Sequence, residues 1–332
     1  MKYIFLLPLL FLSFISGFSQ ADVEVAQEDE YSQFKIVPDY IANPTPERKI
    51  YFDAYNKTLE DWGVPFEELY VPTSKGIAHV ITSGPKNGTP IILLHGMCGS
   101  STMWYSHSRE LSQEYRLFAI DLIIEPGKSY KTENINKIDH INLWYDEIFS
   151  ALNLNSFYVM GPSRGGWLAT NLALNSTKDI KGLVLLSPVQ TLIWIPISWK
   201  LLKNTFNIFY STERGISRTM ETLTNDTSKI NPDYLEQYRQ GRKNDSVNKF
   251  IPQMVPFGGR KLRSLKMPVL VLVGDNDMLN NKHSIKRAKR LFPDFHGGIV
   301  ANSGHFLSVD QEDEINRRIL EFLKYAEAKH ED

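Results

Sequence analysis

Short apolar runs alternate with stretches of helical periodicity along most of this chain. The runs are Ile91 to Leu94, Leu117 to Ile120, Phe157 to Met160, Leu183 to Leu186, Val269 to Val273 and, less apolar, Gly298 to Ala301. Between them, apolar positions recur at helical spacing near 103–112, 136–152, 164–175 and 283–291, with a last such stretch near 311–328. Runs without internal alternation suit strands buried on both faces, and strands separated by helices suit crossover connections. The pattern therefore predicts a largely parallel sheet covered by helices on both sides. Two earlier extended stretches, Glu67 to Pro72 and Ile77 to Thr82, flank Ser74-Lys75-Gly76 and predict an antiparallel hairpin, which brings the strand count to eight. Ahead of the hairpin, Pro46 to Trp62 carries Tyr51, Tyr55, Leu59 and Trp62 at helical spacing behind a helix-starting proline.

The alternation stops after Ser187-Pro188, at the end of the sixth strand. Residues 191–265 come before the next buried strand, far more than the ~10 to 15 of an ordinary crossover. Trp194, Ile197, Trp199, Leu201, Phe206 and Phe209 supply one apolar helical surface there, and Tyr234, Leu235, Tyr238 and Phe250 another. The insertion is predicted to be a helical cap over the sheet's carboxyl edge, splitting the core into 46–190 and 266–332. Residues 20–45 read as a solvated leader. Residues 1–19 read as a signal peptide: Lys2, an apolar run from Tyr3 to Ile15, then Gly17 and Ser19 at the cleavage point. The run is shorter than the ~20 residues that span a bilayer and Pro8 interrupts it, so a secreted or periplasmic protein without a stable membrane anchor is expected.

Composition narrows the function. The 332 residues are 42% hydrophobic and 23% charged, as in globular proteins, with a formal charge of -1 and dispersed Lys and Arg. No basic field for nucleic acid is expected. The one cysteine, Cys98, permits no internal disulfide. With no His-x-x-x-His pair, no cysteine pair and no phosphate-binding glycine loop, no metal or cofactor is expected.

The strongest chemical signal is Gly161-Pro162-Ser163-Arg164-Gly165, which follows a buried strand and opens a helix. So tight a strand-to-helix turn lifts the serine hydroxyl above the sheet edge and places the helix amino end beside it. A serine hydroxyl needs a neighbouring base, oriented in turn by a carboxylate. His305 follows the last strand in Asn302-Ser303-Gly304-His305, and Asp277 follows the preceding one in Gly274-Asp275-Asn276-Asp277. Asp275 competes for the acid role, but its place directly after the strand suits turn capping, whereas Asp277 has the reach. His95-Gly96-Met97 after the Ile91 to Leu94 strand supplies the second half of an oxyanion site, with the backbone N–H groups of Met97 and Arg164 as donors and His95 as a loop brace.

From about Pro46 onward the chain resembles the capped α/β-hydrolases, and among them the bacterial carboxylesterases. The matching pieces are His95-Gly96, Ser100 to Trp104, Asp121, Gly161 to Gly165, Gly274 to Asp277 and Gly304-His305. The resemblance implies an α/β-hydrolase fold: a mostly parallel eight-stranded sheet, helices on both faces, and a helical cap after the sixth strand. It also implies hydrolysis of a small-molecule ester through an acyl-enzyme on Ser163. Trp104, Trp194, Trp199 and Phe206 are expected at the substrate pocket. Two departures stand out: Ile123-Ile124-Glu125 interrupts the usual compact turn between Asp121 and Ser129, and Arg164 replaces an uncharged residue. Arg164 suits a structural pair with a nearby carboxylate; the other reading gives it an acidic substrate group. That second reading would favour a carbon-carbon hydrolase of the diketone type. A catalytically silent binding protein on the same fold is the remaining alternative.

Overall fold

The computed structural model describes residues 30–196, 212–243 and 253–331. Nine strands among them form one sheet. In chain order these are β1 (Phe66–Thr73), β2 (Gly76–Ser83), β3 (Thr89–Leu94), β4 (Tyr115–Ile120), β5 (Tyr130–Lys131), β6 (Ser156–Pro162), β7 (Asp179–Leu186), β8 (Val269–Gly274) and β9 (Phe295–Val300). The spatial order is β1-β2-β4-β3-β6-β7-β8-β9, with β5 paired to β2. The six strands from β4 to β9 in that order are parallel, while β2 is antiparallel to β1, β4 and β5.

The sheet is thus nine-stranded and mixed, which corrects the expected count of eight. Two residues, Tyr130 and Lys131, are too few to carry a periodic signal. Their pairing depends on Gly76, whose φ is +135° and whose Cβ, if it had one, would lie 2.0 Å from the Tyr130 carbonyl oxygen. Strand β9 also starts earlier than its apolar run suggests. It pairs with β8 alone, and only Val300 of it is buried, so the sequence marks its end rather than its beginning.

Helices α1 (Pro46–Leu59), α2 (Tyr105–Leu111), α3 (Ile138–Ala151), α4 (Arg164–Asn175), α5 (Glu213–Leu223), α6 (Pro232–Lys243), α7 (Gly259–Ser264), α8 (Lys282–Leu291), α9 (Leu307–Asp310) and α10 (Glu312–Glu331) surround the sheet. The strands bury both faces by alternation. Ile92 and Leu94 of β3 join a core with Trp144 and Phe149 of α3 and Leu168 of α4; Ile91 and Leu93 join the opposite core with Tyr55 of α1, Leu111 of α2 and Ile319 of α10. Each fully buried aliphatic side chain contributes about 1.5 to 3 kcal/mol. These two cores hold the described fold without a disulfide, and Cys98 is a buried free thiol.

The described parts of the 191–265 insertion form α5, α6 and α7, and α6 packs along α1. Trp199, Phe206 and residues 1–19 lie outside the described residues. The leader is not wholly solvated: Tyr31 is buried, its ring edge-on to Phe118 at 6.1 Å. A single aromatic anchor leaves no periodic trace in the sequence.

Candidate active site

Ser163 joins β6 to α4 with φ +51° and ψ -119°, a strained backbone for a residue with a side chain. The glycines explain how it fits. A Cβ on Gly161 would lie 2.2 Å from the Gly165 carbonyl carbon, and one on Gly165 would lie 2.4 Å from the Leu94 carbonyl oxygen. Strand β6, helix α4 and the end of β3 therefore approach more closely than side chains allow. Backbone bonds fix the turn: Ser163 N–H donates to the Leu186 carbonyl at 2.9 Å, and the Ser163 carbonyl accepts from Gly166 and Val189, both at 3.1 Å.

Strands β8 and β9 end on the same edge as β6, because all are parallel. The loops beyond them bring Asp277 and His305 together, with His305 Nδ1 3.1 and 3.2 Å from the two carboxylate oxygens. Asp277 is held by its own turn, accepting from the N–H groups of Leu279 at 2.8 Å and Asn280 at 3.2 Å. Burial opposes its charge, yet the His305 ring and the Leu279 N–H keep its pKa below the ordinary carboxylate value. Asp275 does not meet His305. Its oxygens accept from Asn302 N–H and Ser303 N–H, each at 3.0 Å, and so fix the loop that carries the histidine. With Nδ1 occupied, His305 Nε2 is buried and without a partner among the described residues. Ser163 and His305 line one cavity of about 260 Å³.

The other wall is built on His95. Its Nε2 accepts from Leu122 N–H at 2.9 Å and its Nδ1 lies 2.8 Å from the Gly96 carbonyl, which requires the neutral tautomer protonated at Nδ1. Burial lowers its pKa and favours that form. The chain then passes close to Ser163: a Cβ on Gly96 would lie 3.7 Å from Ser163 Cβ. The N–H groups of Met97 and Arg164 donate to nothing among the described residues, and both residues line the cavity.

The rest of the lining is mainly apolar and includes Met103, Tyr105, Leu223, Tyr234, Tyr238 and Met254. Trp104, expected at the pocket, lies instead in the core at 1% exposure, its ring 5.4 Å from that of His107. The short 3-10 turn Ser101–Trp104 brings Met103 to the cavity and sends Trp104 inward. Trp194 is 61% exposed and does not line the cavity, whereas its neighbour Ile195 does. Tyr234 and Tyr238, with Ile195, Leu223 and Met254, supply the cap's part of the lining. Helical spacing marked both tyrosines as apolar, but it does not separate pocket wall from cap core.

The two sequence departures are partners. The Arg164 guanidinium pairs with the Glu125 carboxylate, and both side chains are buried. In a second cluster His79, itself fully buried, stands 2.9 Å from Asp121 and 2.8 Å from Glu68. Burial pushes the His79 pKa down, but the two carboxylates outweigh it and raise it. Asp121 also accepts from the N–H groups of Ser101 and Lys128, both at 2.7 Å, and so ties two loops together.

His107 behaves in the opposite way. It is buried between Asn316 and Ser308, and burial pushes its pKa down to about 4. Folding therefore favours the neutral ring. The stability this provides is complete above the unfolded value of ~6.5 and is lost as pH falls towards about 4, a loss on the order of 3 kcal/mol. His79, whose pKa is raised, acts in the opposite sense: its contribution grows as pH falls through the unfolded value and is complete below it. Melting temperatures between pH 7 and 4 should fall more steeply for the wild type than for His107→Gln. Equal slopes would mean that His107 does not titrate in this way.

Residues 89–214 match the family model described as alpha/beta hydrolase fold. The chain is 31% identical over 282 residues to the uncharacterized carboxylesterase nap of Bacillus subtilis (strain 168), covering 82% of this chain and 92% of that protein. It is 29% identical over 286 residues to the carboxylesterase YbfK of the same organism, covering 82% and 93%. Among solved structures, the naproxen esterase (carboxylesterase NP) from Bacillus subtilis superposes with a TM-score of 0.77 at 28% identity, over 84% of this chain and 99% of that one.

Proposed function

The chain belongs to the α/β-hydrolase family, and on that premise we propose that it is a carboxylesterase acting through an acyl-enzyme on Ser163. The observation that carries the reading is His305: its Nδ1 is held by Asp277 while its Nε2 is left buried and unpartnered in the cavity that Ser163 also lines. Ser163 Oγ attacks the ester carbonyl carbon as its proton passes to His305 Nε2. The carbonyl oxygen becomes an oxyanion, and the N–H groups of Met97 and Arg164 are its donors. Collapse expels the alcohol, which takes the proton from His305. Water, deprotonated by the same nitrogen, then releases the acid and restores Ser163.

The carbon-carbon hydrolase reading required Arg164 to hold a substrate carboxylate. Its charge is already met by Glu125, so nothing favours that reading. At about 260 Å³ the cavity lies near the small end of the ~300 to 1,000 Å³ range of ligand pockets, which supports a small or medium apolar ester. Kinetics on p-nitrophenyl esters from acetate to laurate test this. Each added methylene should raise kcat/KM by about fourfold until the pocket is full, after which the value should fall. A fluorophosphonate should abolish the activity. Failure to hydrolyse any of these esters would overturn the proposal.

A further inference from the structure

The two oxyanion donors lie on different segments, one on the loop after β3 and one at the start of α4. Stabilising a tetrahedral oxygen requires their separation to be fixed before the reaction begins. One carboxylate touches both segments. Glu125 Oε2 accepts from the backbone N–H of Cys98, the residue after Met97, at 2.6 Å, and Glu125 Oε1 pairs with the guanidinium of Arg164, the residue after Ser163. Its side chain is fully buried, and its own N–H is fixed by the Leu122 carbonyl at 2.8 Å. Cys98 has φ +59°, a left-handed conformation that a non-glycine residue holds only under constraint, and its N–H is the atom that Glu125 takes.

We propose that Glu125 is a positioning residue that clamps the Met97-Cys98 turn to the nucleophile turn and so sets the spacing of the oxyanion donors. This deepens the carboxylesterase reading and rests on it. It also gives the two departures in the sequence a single purpose: the Ile123-Ile124-Glu125 segment delivers the carboxylate, and Arg164 receives it. Because a buried ion pair is poor evidence for stability, exchanging the pair for neutral groups of similar size is often harmless to a fold. A purely structural pair and a clamp therefore predict different outcomes.

The decisive variant is Glu125→Gln/Arg164→Met. It keeps an acceptor for Cys98 N–H and the backbone donor of residue 164, removes both members of the ion pair together, and breaks the tie between the two segments. The clamp predicts a melting temperature near that of the wild type and KM within about threefold. It predicts kcat lowered by about 10- to 100-fold, with affinity for a trifluoromethyl ketone transition-state analogue falling by the same factor as kcat/KM. Unchanged kcat and analogue affinity in the folded double variant would overturn it. Should that variant not fold, Glu125→Asp decides, since it keeps the charge on an arm too short to reach both groups, and there too an unchanged kcat sinks the clamp. A wild-type protein inert to esters and to fluorophosphonate would defeat the carboxylesterase reading and the clamp with it; an active wild type beside an unimpaired variant defeats the clamp alone.

Discussion

Ser163→Ala and His305→Ala are each expected to lower kcat by a factor of about 10⁴ or more, and combining them should cost little beyond the worse single change. The reason is that nucleophile and base act as one unit. Without Oγ no acyl-enzyme forms, and without the imidazole the hydroxyl keeps its proton. Neither change should disturb the fold greatly. The Ser163 turn is held by backbone bonds to Leu186, Gly166 and Val189 and by the glycine contacts, none of which involves Oγ. Steady-state kinetics on the preferred ester, melting curves and mass spectrometry after fluorophosphonate treatment give the three readouts. A Ser163→Ala variant that still hydrolyses esters at more than about one per cent of the wild-type rate would remove Ser163 as the nucleophile.

The parts of this site that were legible in the sequence are those where backbone geometry restricts residue type. Gly161 and Gly165 announce themselves because a Cβ at either would collide with backbone. His305 and Asp277 are found because parallel strands end on a common edge, so the loops after β8 and β9 must converge near Ser163. What the sequence left hidden depends on side-chain direction. Trp104 and Met103 are adjacent and both apolar, yet one enters the core and the other the cavity, a difference set by the twist of a single 3-10 turn. Trp194 and Ile195 divide in the same way. The pair between Glu125 and Arg164 was hidden for another reason: its members lie 39 positions apart, and each looks like an isolated departure until the fold brings them together.

The acid of the triad is where single substitutions separate two readings most sharply. Asp277→Asn should lower kcat by about 10³ to 10⁴ with little change in KM, because the carboxamide can present its NH₂ to His305 and stabilise the tautomer whose Nε2 carries a proton. That tautomer cannot accept from Ser163. Asp275→Asn should do something else. Its two oxygens hold Asn302 N–H and Ser303 N–H, and one carboxamide oxygen serves only one of these well. Weakening one bond at this exposed turn, where water can take the freed N–H, costs about 0.5 to 1.5 kcal/mol, so the melting temperature should drop by about a degree or two. Since the loop that carries His305 is loosened rather than its chemistry removed, kcat should stay within about tenfold of the wild type. Kinetics and melting on the two variants side by side decide the matter. A nearly fully active Asp277→Asn beside an inactive but folded Asp275→Asn would transfer the acid role to Asp275 and would mean that the loops after β8 and β9 rearrange when substrate binds.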